Sequence, residues 1–245
     1  MLVAPALALL LAAAPAPAAA IPAPEAPPDV DPLWQKALAL AAANDGLLPR
    51  RMVETEKLTD VDGQLVATTV STYELSRDGQ GKVARRLVSA LRDGKEFTER
   101  KRKDLAADPN SSKEMFPRST HLFLAENAPR VEVRRTGLRD VIAQVPCVAF
   151  RYTLQAELGP VSGRAWLDEA TGAPMLVEAK PTAFPEHEAI RIKEMEQRFS
   201  YRVAPGSRWT LESLEIRTGI ELKKLLDLAM RVETTVRFED HAKAK

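Results

Sequence analysis

At 245 residues with a 45% hydrophobic composition, the chain is long enough to bury a substantial core as one large domain. Lys and Arg number 35 against 34 Asp and Glu, so no net field draws the protein onto nucleic acid or an anionic membrane, and nucleic acid is set aside as a partner. The only cysteine is Cys147, which excludes a disulfide within the chain.

Residues 1–20 carry no charge, contain the apolar run Leu2 to Ala14 and finish in the small residues Ala18, Ala19 and Ala20. This reads as an export signal cleaved near Ala20, although its start lacks Lys or Arg, and it places the mature chain in the periplasm. Pro15 and Pro17 interrupt an apolar stretch already shorter than the roughly 20 residues of a membrane span, so the chain is not expected to span a membrane. No cysteine follows the signal to take a lipid anchor. Residues 21–30 form a Pro-rich linker. A single domain is expected over 31–240, with a polar tail at 241–245.

Asp31 can cap a helix with Pro32 in its first turn, and Trp34, Ala37, Leu38 and Ala41 then share one face up to Asn44-Asp45-Gly46. From Arg50 the period becomes two. Strands are expected at 50–60, 64–77, 81–92 and 95–102, separated by Asp62-Gly63, Asp78-Gly79-Gln80-Gly81 and Asp93-Gly94. Asp-Gly turns at such intervals mark an antiparallel meander. Val66 and Val70 lie on the opposite parity from Leu65, which suggests partial cover on both faces of the sheet. Residues 103–118 break the pattern and read as a lid or long loop containing a helical turn or two.

Strands resume at 120–125, 130–135 and 147–158, where Val148, Phe150, Tyr152, Leu154, Ala156 and Leu158 alternate with polar residues. Gly163 to Val177 reads as a hairpin turning at Asp168-Glu169-Ala170-Thr171-Gly172, and Pro181 to Pro185 as a break. Strands at 189–203 and 208–217 follow. A last run puts Leu222, Leu226, Leu228, Met230, Val232, Val236 and Phe238 on one parity. A strand of about 16 residues spans roughly 50 Å and must coil. The fold expected is mainly β with a few helices: a curved antiparallel sheet forming an incomplete, half barrel, its concave side filled by the early helix and the 103–118 segment.

No nucleophile elbow, phosphate loop or dinucleotide fingerprint is present. His121, His187 and His241 are scattered, and Cys147 has no companion thiol, so no metal ligand set emerges. Asp60-Val61-Asp62-Gly63 supplies half the acidic positions of a calcium loop and reads as a turn. Glu186-His187-Glu188 lies in a Pro-bounded connection with no nucleophile in view. No catalytic residue, metal or cofactor is assigned, and an enzyme is not expected.

The order of these features resembles the periplasmic lipoprotein carrier and outer-membrane lipoprotein-sorting superfamily. The resemblance is carried by the export signal, the short helix and meander, Pro146-Cys147, Gly163-Arg164-Ala165-Trp166-Leu167-Asp168, Thr171-Gly172-Ala173-Pro174, Trp209 and Arg231 to Val236. It implies an open half-barrel with a helical lid over an apolar cavity that takes acyl chains of a lipid or lipoprotein, with inner- and outer-membrane proteins as possible partners. Relatives in that superfamily also act as envelope sensors or protein-interaction modules, which is the alternative function. The candidate ligand-cavity residues are Trp34, Leu38, Phe150, Tyr152, Leu154, Leu226, Leu228 and Met230.

Overall fold

The computed structural model describes residues 31–44, 47–77, 83–107, 122–184, 190–204, 208–223 and 228–243. The expected signal, the linker and most of the 103–118 segment lie outside these residues, as do Asp78-Gly79-Gln80-Gly81, Glu186-His187-Glu188, His121 and Leu226. Among the described residues the chain forms one antiparallel sheet of eleven strands that does not close, an open half-barrel with two α-helices.

Helix α1 (Pro32–Ala43) starts as its sequence requires: Asp31 Oδ1 accepts the Leu33 N–H at 2.8 Å, with Pro32 in the first turn. Strands β1 (Leu47–Thr59), β2 (Leu65–Arg77), β3 (Val83–Arg92) and the two-residue β4 (Lys95–Glu96) form the first meander. Asp60 Oδ1 accepts the N–H groups of Asp62 and Gln64, so Asp60 to Gly63 is turn chemistry. Asp93 and Gly94 both take positive φ, 51° and 76°, the backbone of a tight hairpin turn.

Helix α2 (Thr98–Ala107) then replaces the strand expected at 95–102. Glu96 Oε1 accepts the Thr98 N–H at 2.8 Å and starts the helix, and the inward residues Lys101 and Leu105 recur at a spacing of four rather than two. Nor do residues 122–124 form the strand expected at 120–125: Leu122 and Phe123 are buried as loop anchors, and Ala125–Arg130, containing Pro129, is a 3-10 helix.

The second meander runs through β5 (Val131–Ile142), β6 (Val145–Ala156), β7 (Gly159–Asp168), β8 (Pro174–Pro181), β9 (Ile190–Ala204), β10 (Arg208–Leu222) and β11 (Leu228–Lys243). Two corrections concern its turns. β6 ends at Ala156 and Glu157-Leu158 is the turn into Gly159, the first residue of β7 at φ 137°, so the strand expected to include Leu158 stops short of it. Leu222 closes β10 and pairs with Leu228 across a hairpin, so the last long run is two strands. β11 alone still has 16 residues and continues into the expected tail.

The strand order is β4-β3-β2-β1-β11-β10-β9-β8-β7-β6-β5. The two meanders are therefore joined by the pairing of the first long strand with the last, Leu47↔Lys243 through Thr59↔Arg231. The connection from β4 to β5 links the sheet's two opposite edges. Its described ends, α2 and Leu122–Phe123, both pack on the face that carries α1, here the inner face. Register shifts in β1–β2, β2–β3, β5–β6, β7–β8 and twice in β9–β10 bend and twist the strands around that face.

Candidate functional site: the inner face of the half-barrel

Register defines the inner face without ambiguity. One row of paired residues crosses it from Thr69 through Glu56, Thr234, Ile216, Gln197, Ala179, Gly163 and Tyr152 to Val133. The adjacent row runs Ser71, Glu54, Val236, Leu214, Phe199, Val177, Ala165, Phe150 and Arg135. The end over β5–β8 is apolar, and so are the flanks of the β1–β11 end. The centre of the β1–β11 end is polar.

The apolar end gathers five of the eight candidate residues. Trp34 stacks at a tilt on Phe150 (5.5 Å between ring centroids) and Phe123 (5.0 Å), and Tyr152, Leu154 and the half-buried Leu38 belong to the same cluster. Asn44, at the end of α1, accepts the Trp209 N–H at 3.1 Å, and Arg135 pairs with Asp31 at 3.4 Å, so both ends of α1 are tied to the sheet. Met230 lies on the same face in a separate cluster with Ile190, Ile220, Leu222 and Val232. Leu228 stands at the hairpin end and is 45% exposed.

The Gly163 to Val177 hairpin is architecture. A Cβ on Gly163 would meet the Glu178 carbonyl at 1.9 Å and the Tyr152 ring at 2.8 Å, and its absence lets the Tyr152 hydroxyl donate to that carbonyl at 3.1 Å. Gly172, at φ +79°, lies against the Leu33 carbonyl and Lys36 of α1. Asp168 accepts the Ala170 N–H and the Thr171 hydroxyl, while Glu169 pairs with Arg139. Trp166 faces outward, in a small outer cluster with Cys147, Ala149, Met175 and Leu176. Cover on both faces is thus real, though here rather than at Val66, which is 51% exposed. Burial pushes the Cys147 thiol up to about 11, so it is a packed hydrophobe.

Sequence reasoning missed the polar centre. Lys101 of α2 reaches Glu56 of β1 at 3.3 Å, with side-chain exposures of only 7% and 14%. Thr69 and Thr234 stand opposite Glu56 on the neighbouring strands, Ser71 stands opposite Glu54, and Thr218 lies one row further along on β10; all four are buried. The hydroxyls of Thr218 and Thr234 have no hydrogen-bond partner among the described residues. Burial, then the neighbouring Glu54, raises Glu56 to about 7 against the pull of Lys101. Burial works to lower Lys101, but Glu56, Tyr73 and Glu54 more than offset it, and its net shift is upward. Tyr73 is pushed up to about 12 by burial and Glu54. The available signal was Glu54 and Glu56 standing at strand positions whose neighbours Met52 and Leu58 are apolar, which reads from sequence as a solvated face.

Among the described residues no group of three His, Cys, Asp or Glu is arranged to hold a metal ion, and no helix is long and apolar enough to cross a membrane.

No family model matches the chain, and no curated protein matches it. Among solved structures, a DUF1329 family protein from Desulfovibrio piger is similar at 10% identity and a TM-score of 0.33, covering 84% of this chain and 91% of its own. The S-type phycobiliprotein lyase CPES from Guillardia theta is similar at 7% identity and a TM-score of 0.28, covering 85% and 96%. Neither likeness assigns a family.

Proposed function

We propose that the protein is a periplasmic, non-catalytic carrier or binding protein for a lipid or lipid-modified protein. The observation that supports it best is the composition of the inner face: an apolar floor from Leu154 to Phe238 interrupted over β1, β10 and β11 by Glu54, Glu56, Lys101 and the unpartnered hydroxyls of Thr218 and Thr234. Buried polar groups without partners are rare in a finished core. An amphiphile matches this face, its polar group meeting the threonines and its chain lying along the floor. Burial of the chain supplies about 0.8 kcal/mol per methylene. α1 occupies the apolar end, so binding there displaces Trp34 from Phe150.

The test is extraction of the purified protein followed by mass spectrometry, with exchange of a fluorescent acyl probe. Co-purifying lipid, or saturable uptake of the probe, is the expected result; a protein that neither carries nor takes up any acyl chain overturns the reading. A second reading, an envelope sensor or interaction module, is favoured by one observation: Trp34, itself packed against Phe123, already covers Phe150.

A further inference from the structure

The outer face of the sheet is laced with ion pairs along most of its width. Glu74 pairs with Arg86, Arg51 with Glu239, Arg217 with Glu233 and Lys180 with Glu196. One row across β5–β10 reads Arg134, Arg151, Arg164, Glu178, Arg198, Glu215. From β7 onward the sign alternates strand by strand. Over β5, β6 and β7 it does not: three arginines stand directly opposite one another. None of the three forms an ion pair within 4 Å among the described residues; Glu178 stands opposite Arg164 and Glu132 lies two residues from Arg134 on the same face, so the three arginines outnumber the flanking carboxylates by one, and Arg164 lies over the Trp166 ring at 5.5 Å.

Like charges directly opposed across strands oppose folding. A cation at the edge can guard β5 against pairing with other chains, which accounts for Arg134 but not for Arg151 and Arg164 on the second and third strands. Adjacent strands lie about 4.8 Å apart, so the row spans roughly 10 Å, and guanidinium groups bind phosphate oxygens bidentately. A strand added at the edge would bring only one side chain to this row. The β5–β6 hairpin also exposes Leu138 (48%) and Val141 (62%).

We infer that Arg134, Arg151 and Arg164 dock the protein, through its outer face, onto the phosphate headgroups of an anionic lipid surface. A chain whose net charge is only +1 thereby gains a local cationic site. Docking is independent of whether any acyl chain occupies the inner face, so it stands or falls apart from the carrier reading.

The experiment is co-sedimentation of the intact protein with phosphatidylcholine vesicles, with and without phosphatidylglycerol. Expected is binding that requires phosphatidylglycerol, weakens with salt, is lost in the Arg134→Gln, Arg151→Gln, Arg164→Gln triple variant and persists in Arg217→Gln. The triple variant is expected to melt no lower than the wild type, since it removes an opposed set of charges. Equal binding to both vesicle types, or undiminished binding by the triple variant, overturns the inference. So does competition by inorganic phosphate beyond a matched salt control, which marks a single-anion site. Retention on polyglutamate without vesicle binding also overturns it, marking a protein-docking surface.

Discussion

Glu56 and Lys101 carry the sharpest test at the scale of single residues. In the folded chain Glu56 holds its proton to about 7, whereas unfolded it releases it near 4.5. The native state therefore binds the extra proton between those values, and stability contributed by Glu56 falls as pH rises through that window. Glu56→Gln, which cannot ionise, is expected to gain stability relative to wild type from pH 4.5 to 7 and then to level off, as read in melting temperature across pH. Lys101→Met leaves a buried carboxylate without its partner and is expected to cost about 3 kcal/mol above neutral pH, with Glu56→Gln added to it restoring most of the loss. Additive single effects in that cycle would show that the pair is not coupled. Gly163→Ala has a different cause: the new Cβ collides with a backbone carbonyl at 1.9 Å and cannot be relieved by a side-chain rotation. A loss of at least about 3 kcal/mol in urea titration is expected, larger than an ordinary glycine-to-alanine change in a strand.

At the scale of elements, α1 was legible and α2 was not. Asp31, Pro32 and the 34-37-38-41 stripe are local signals, readable wherever the chain goes. α2, with the sequence Thr-Glu-Arg-Lys-Arg-Lys-Asp-Leu-Ala-Ala, presents almost no apolar stripe, because its inward group at Lys101 is satisfied by a carboxylate 45 residues away. The β5–β6 hairpin was partly hidden for a similar reason: Ala143 and Gln144 take positive φ, 48° and 68°, without the Asn-Gly or Asp-Gly pair that announces such a turn. If α1 is the removable cover of an acyl site, Trp34→Ala should both lower stability by about 3 kcal/mol and speed exchange of a fluorescent acyl probe. Leu228→Ala, at a 45% exposed position, should stay within about 0.5 kcal/mol of wild type in the same denaturation assay. Faster exchange without loss of stability would separate α1 from the core.

For the whole molecule, the decisive contact is the pairing of β1 with β11, which joins two meanders that otherwise share no strand. Truncation before Leu228 is expected to abolish cooperative unfolding, because Met52 then loses Phe238 and the β1–β4 unit retains only a four-stranded sheet. A sharp two-state urea transition in the truncated chain would show that the meanders fold separately. By itself the sequence determined the antiparallel β class, the early helix, the Asp62-Gly63 and Asp93-Gly94 turns, the parity of Phe150, Tyr152 and Leu154 and of Val232, Val236 and Phe238, and the turn role of Asp168. All of these depend on residues within one or two turns of each other. Only the tertiary structure decided which strands neighbour which, that Trp166 faces outward, that Glu56 meets Lys101 inside the half-barrel, and that Arg134, Arg151 and Arg164 fall into one row. Each of those facts depends on register between segments far apart in the chain, and a period of two says which residues share a face but never which residue stands opposite.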